Sequence, residues 1–226
     1  MVKIGIIAAM PSEAKALKNI KGRFFGEIPF RVYVAGPGYE NAKRAAEQLL
    51  GDGYRFLISW GVGGGLDSSL KPGRLVISRE IVSVLYDTLK FDDELGKKIS
   101  AALGELDPYF GRVISSPTPI SSPAEKSILK TASRAHVVDM ESAAIANVAA
   151  INHCDFLCIR SIVDCSKFQI PSAALVAMHS TGFKTILKVI KQLAHEPKDI
   201  KNLLALSFHF LKALRTLRSA AKLLGK

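Results

Sequence analysis

Seven short apolar runs, Lys3–Ala9, Arg31–Ala35, Arg55–Ser59, Arg74–Val84, Arg112–Ser115, Val137–Val138 and Phe156–Ile162, alternate along the chain with stretches of helical spacing. The helical patterns fall at Ser12–Asn19, Tyr39–Leu50, Asp92–Leu106, Glu125–Ala132, Glu141–Ile151 and Ala173–Leu193. A strand that returns through a helix before the next strand begins runs parallel to its predecessor, and the helices then cover both faces of the sheet. The pattern predicts an α/β fold over residues 1–195: a single-domain three-layer sandwich with a mixed, mainly parallel, twisted sheet flanked by helices. Residues 196–226 are set apart as a basic amphipathic C-terminal helix. At 226 residues the chain can bury a core that needs no disulfide or metal staple.

The cysteines, Cys154, Cys158 and Cys165, are odd in number and form no CxxC pair, so they read as reduced thiols of a cytosolic protein, buried as small hydrophobes. The apolar start Ile4–Met10 suits a first strand better than a secretory leader. No run reaches the roughly 18 uninterrupted apolar residues of a membrane span. Net charge is +11, and from Lys184 onward ten Lys/Arg stand against Glu196 and Asp199, so most of the excess belongs to the tail. Basic residues interleaved with aromatics do not run through the domain, and a nucleic-acid partner is not expected. His, Cys and carboxylates form no cluster with ligand spacing, so a metal-free site is expected. His136, His153, His179, His195 and His209 read as surface or core residues.

Carboxylates mark three places where chemistry can sit. Asp139-Met140-Glu141-Ser142 opens an apolar helical stretch, and Glu141 falls in its first turn, where the helix dipole favours an acid. Asp164 closes the strand Phe156–Ile162, at the sheet edge where α/β folds place their chemistry; taken alone, an Asp there is better explained as a helix N-cap. Glu13 follows the first strand, where an exposed first-turn acid is equally reasonable. The run Gly61-Val62-Gly63-Gly64-Gly65 follows the strand ending at Trp60, and reads as a turn whose backbone N–H groups can approach phosphate or a sugar. Ser115–Pro123, with three prolines, is a turn-rich loop and a wall for a binding site.

These segments, together with Gly5–Glu13, Ala35-Gly36-Pro37-Gly38-Tyr39-Glu40-Asn41-Ala42 and Ile170–Leu175, resemble the purine nucleoside phosphorylase and methylthioadenosine nucleosidase family over roughly residues 1 to 190. Within it the chain is most similar to the hopanoid-associated nucleoside phosphorylases, the basic tail included. The resemblance implies cleavage of the N-glycosidic bond of an adenine nucleoside. Asp164 would protonate purine N7, Glu141 would hold the ribose hydroxyls with Met140 beneath the sugar, and Glu13 would stand near the nucleophile. Val62, Gly63, Thr118, Ile120, Val138 and Ser166 would line the substrate.

The sequence departs from the family at three of these positions. Val62 stands where a hydroxyl residue is usual, Thr118-Pro119-Ile120 replaces a phenylalanine that stacks on adenine, and Ser166 replaces a second acid. Stacking would then fall to Phe168 or Trp60, or to aliphatic packing. Lys15, Lys18 or Arg160 could offset the charge of Glu13 beside a phosphate. No cofactor is expected beyond phosphate as co-substrate, and a homo-oligomer, dimer or hexamer, is implied.

For the subfamily the implied substrate is an adenosylhopane-type nucleoside with a lipid at the ribose 5′ carbon. The helix beyond Pro197 either packs on the domain or a partner subunit, or meets the membrane surface from the cytoplasm; Arg218 falls within its apolar arc. The alternatives are a water-using methylthioadenosine or adenosylhomocysteine nucleosidase, and a noncatalytic nucleoside-binding protein that kept the fold.

Overall fold

The computed structural model describes residues 2–18, 20, 23–25, 27–83, 86–178 and 199–226. The central strand is β4 (Phe56–Gly65), flanked in parallel by β1 (Ile4–Ala8) and β11 (Asp155–Asp164). β3 (Ile28–Val34) extends the sheet beyond β1, again in parallel, and pairs antiparallel with β2 (Arg23–Phe24). On the other flank the far end of β4 pairs antiparallel with β10 (Val137–Asp139), followed by β9 (Val113–Ser115), β6 (Glu80–Ser83) and β7 (Tyr86–Lys90). β5 (Leu75–Ser78) joins β11 antiparallel and carries β8 (Tyr109–Phe110). The sheet is mixed and mainly parallel, as the alternating pattern predicts. β4 is long enough to serve two neighbours in turn, β1 along its first half and β10 at its C-terminal end, so the sheet forks there.

Two core clusters, one on each face, make the three layers. On one face Ile4, Ile6, Trp60, Leu157 and Ile159 pack with α1 (Pro11–Ala14), α3 (Glu94–Ala102) and the C-terminal α7 (Asp199–Leu224). On the other, Ile7, Leu57, Phe156 and Cys158 pack with α2 (Tyr39–Gly51) and α5 (Ser142–Ile151). α4 (Pro123–Ser133) starts from a capping box, in which the Ser122 hydroxyl accepts the Glu125 N–H and Glu125 Oε2 accepts the Ser122 N–H. α6 (Ser172–Met178) is the described start of the helix expected from Ala173; the remainder of that pattern, with His179 and His195, lies outside the described residues.

The second half of α7 belongs to the domain core. Ala213, Leu214, Leu217, Ala220, Ala221 and Leu224 recur at helical spacing and are buried. Each buried leucine contributes roughly 1.5–3 kcal/mol. The Thr216 hydroxyl donates to the Gly73 carbonyl at 2.7 Å, and Asp199 accepts from the Ser172 N–H at 3.0 Å, so both ends of the helix are tied down. The solvent side is also apolar in its first half: Ile200, Leu204, Phe208 and Leu211 are exposed. The broad apolar arc read from the sequence is two faces, one buried and one open, and Arg218 is exposed.

Candidate active site

Glu13 reaches the sheet from α1. Its Oε2 accepts the Met10 N–H at 2.8 Å, and its Oε1 accepts the Val62 N–H at 2.9 Å. Gly61 lets the carboxylate in, since a Cβ there would sit 2.5 Å from Glu13 Oε1. The side chain is buried, not the exposed first-turn acid its position also allowed. Burial raises its pKa, opposed by the Val62 N–H and by the charge of Arg160. Lys15 and Lys18 do not perform that offset; they line a separate cleft of about 590 Å³ with Arg218 and Lys222.

Glu141 stands at the N-cap of α5, one residue earlier than its expected place in the first turn. Its Oε1 accepts the N–H of Gly38, in the loop between β3 and α2, at 2.8 Å. Burial pushes its pKa to about 7, with the negative charge of Asp139 adding and Arg160 opposing. Near neutral pH such a carboxyl can donate to one hydroxyl and accept from another. Asp139 itself is structural: its Oδ1 accepts the Ser115 hydroxyl at 2.5 Å and the Ser142 N–H at 3.2 Å, and its Oδ2 takes Arg160 Nη2 at 2.8 Å.

Asp164 ends β11 just beyond an irregularity in its pairing with β4 and is 2% exposed. It does not serve as a helix cap. Its Oδ2 is held by the ammonium of Lys126, which lies on α4 and is fully buried. Lys126 Nζ also donates to the Cys165 carbonyl at 3.0 Å and the Phe168 carbonyl at 2.9 Å. Burial raises the pKa of Asp164, and Lys126, then His209, hold it back. His209 comes from α7, stacks edge-on to Phe168 at 5.3 Å, and has a buried Nδ1 with no hydrogen-bond partner among the described residues.

The glycine run of β4 gathers Glu13, Arg160 and Asp164. Gly61 lies against Glu13 and Arg160, Gly63 against Val137 and the Val138 carbonyl, and Gly64 against both carboxylate oxygens of Asp164. The run is not the phosphate-cradling turn expected from its composition. It continues β4 in extended form, paired with β11 and β10, and the Val62 N–H is taken by Glu13. Small residues are needed here because side chains from three other elements crowd the same strand.

The remaining expected residues fall around this strand to differing degrees. Val138 packs with Leu66, Ile114 and the half-buried Ile120 in a small apolar cluster. Met140 and Ser166 are half-buried beside Glu141 and Asp164, whereas Thr118 is exposed on the loop between β9 and α4. Trp60 is core and donates from Nε1 to the Glu13 carbonyl at 3.3 Å, which removes it as a stacking partner. Sequence reasoning missed Lys126, the Gly38–Glu141 bond and the approach of His209, which it read as an ordinary surface or core residue.

A family model described as the phosphorylase superfamily matches residues 3–177. The 5′-methylthioadenosine/S-adenosylhomocysteine nucleosidase of Maridesulfovibrio salexigens is 29% identical over 199 residues, which cover 72% of this chain and 86% of that protein. Among solved structures, futalosine hydrolase of Helicobacter pylori superposes with a TM-score of 0.74 at 17% identity, covering 99% of this chain and 97% of that one. The 5′-methylthioadenosine/S-adenosyl homocysteine nucleosidase of the same organism, in complex with an aminopyrrolopyrimidine-substituted pyrrolidinol, gives 0.73 at 17% identity over 98% and 96%. At that identity the structural likeness establishes the fold.

Proposed function

This chain belongs to the phosphorylase superfamily, and from that premise we propose that it is an enzyme that cleaves the N-glycosidic bond of a purine nucleoside, with adenine as the leaving base. The observation that carries the reading is three carboxyls of raised pKa, the buried Glu13 and Asp164 against the glycine run of β4 and the half-buried Glu141 after its neighbour β10. Breaking this bond leaves an electron-poor ribose and an electron-rich base, so it needs a proton donor at the base and an oriented nucleophile at the sugar. Asp164 protonates N7, Glu141 holds the ribose hydroxyls, and Glu13 faces the nucleophile. Val62, Gly63, Val138, Met140, Ile120, Thr118 and Ser166 form the walls.

The nucleophile is phosphate or water. The Val62 amide is committed to Glu13 and the following glycines pair with neighbouring strands, which favours water activated by Glu13, the hydrolase reading. Adenine release from adenosine with a bulky apolar 5′ substituent, followed by chromatography with and without phosphate, tests both. Release only with phosphate, yielding a ribose 1-phosphate, identifies a phosphorylase; release without it identifies a hydrolase. No release from this or smaller 5′-substituted adenosines favours the noncatalytic binding protein.

The proposed substrate is of the adenosylhopane type, and α7 supports it. Exposed Ile200, Leu204, Phe208 and Leu211 share the solvent side of α7 with Lys201, Lys212 and Arg215, a pattern suited to an anionic membrane surface from the cytoplasmic side. Deleting α7 would strip the core, so Leu204→Glu with Phe208→Glu is the sharper variant. It should abolish flotation with phosphatidylglycerol vesicles. Unchanged flotation would remove the membrane part of the proposal, and a change in oligomer size by light scattering would assign the face to a homo-oligomer instead.

A further inference from the structure

We propose that Lys126 is a positioning residue for proton transfer: its buried ammonium fixes Asp164 and stabilises the negative charge Asp164 acquires when it passes its proton to the departing base. The inference rests on Asp164 being the donor in the reaction proposed above. On α4 the usual order of burial is inverted, with Lys126 fully buried and Ile128 71% exposed. Taking an ammonium out of water costs several kcal/mol, so a lysine is kept in such a place only where its charge and all its protons are used. Here three acceptors meet its three N–H bonds: Asp164 Oδ2 and the carbonyls of Cys165 and Phe168. The two carbonyls belong to the segment that leaves β11, so one side chain orients both the carboxyl and the loop that follows it.

With Oδ2 occupied, Oδ1 is the oxygen left for the base. In the step, the Asp164 Oδ1–H bond breaks as the purine N7–H bond forms, and the electron pair of the C–N bond passes to the purine. Lys126 keeps its protons throughout. Asp164 is neutral before transfer and negative after it, so the ammonium favours the transition state over the ground state. Among the described residues, the charged or titratable groups that act on Asp164 are Lys126 from α4 and His209 from α7; β4 presents glycine. Removing Lys126 therefore makes Asp164 a weaker acid that keeps its proton to higher pH.

The test uses Lys126→Met, Lys126→Gln and Lys126→Arg in the full chain, with the Asp164 carboxyl followed by carbon-13 NMR and identified by its loss in Asp164→Asn. The titration midpoint should rise by about 1–2 pH units in Lys126→Met and Lys126→Gln, as expected for loss of an adjacent opposite charge. The alkaline limb of kcat should move up by the same amount, its plateau should fall about 10- to 100-fold, and KM should change little. In an Asp164→Asn background the same substitution should cost no further activity. An unmoved midpoint, or an equal loss of kcat in the Asp164→Asn background, would overturn the proposal. The titration needs no turnover, so a wild-type protein that released no purine would refute the proposed reaction while the midpoint still reported on Lys126. Should the neutral variants fail to fold, Lys126→Arg decides: a retained charge should hold the midpoint, and a shift above one unit would overturn the proposal.

Discussion

Asp164→Asn should lower purine release by at least about 100-fold, and by as much as about 10,000-fold, because the proton for the leaving base disappears with the carboxyl. The amide keeps the shape of the side chain and one acceptor oxygen for Lys126, so nucleoside binding should persist. Its loss separates from misfolding by a thermal melt and by equilibrium binding of a nucleoside analogue. The wild-type rate should fall as pH rises through the raised pKa of Asp164, since only the protonated form donates. Residual activity within threefold of wild type would exclude Asp164 as the donor. Activity abolished by this substitution would, in turn, exclude the noncatalytic binding protein.

The layers of the fold were legible because periodicity is local. Continuous apolar runs separated by helical spacing leave few arrangements other than a mainly parallel sheet between helices. The run Arg74–Val84 shows where that logic stops. It reads as one strand, yet it breaks at Arg79 into β5, which pairs with β11 and β8, and β6, which pairs with β9 and β7. The break is made by a side chain: the Ser78 hydroxyl accepts the Glu80 N–H at 3.1 Å and donates to the Glu80 carbonyl at 2.8 Å. A serine bonding the backbone two residues on looks the same in sequence as a serine in a strand. Composition misled at Gly61–Gly65 for a related reason, since glycine is as necessary to a crowded strand as to a turn.

The site was legible in its acids and, among its cations, only in Arg160. Glu13, Glu141 and Asp164 stand beside strand ends and helix starts that can be found from local patterns. Lys126 pairs across 38 residues of sequence, and nothing local distinguishes it from Lys130, four residues on, which holds the half-buried Asp67. Periodicity points the wrong way on this helix: Ala124, Ile128 and Ala132 recur at i, i+4 and i+8 and are all exposed, while Lys126 is buried. The C-terminal helix was read correctly as amphipathic, but its periodicity carries no marker of which stripe meets the domain.

Arg160→Met should destabilise the fold by about 3–5 kcal/mol, the cost of leaving one member of a buried ion pair without its partner. Arg160 is 2% exposed and donates from Nε to Asp139 Oδ2 at 2.9 Å, and from Nη2 to the hydroxyls of Ser59 at 2.7 Å and Ser142 at 3.0 Å. Methionine approximates the stem and restores none of these bonds, so Asp139 and two serines lose a donor in a region closed to water. For a chain of this length each kcal/mol is about 2–4 °C of melting temperature, and a fall of roughly 10 °C should be measurable. Asp139→Asn in the same background should recover part of the loss, because the stranded charge is removed; the coupling between the two sites is then read from the double-mutant cycle. The same guanidinium faces Glu13 and Glu141 and opposes the rise in their pKa values, so its removal should also make both carboxyls harder to ionise. A denaturation midpoint within 1 kcal/mol of wild type would mean that water reaches Asp139 once the arginine is gone, and that this network orders the site without holding the fold.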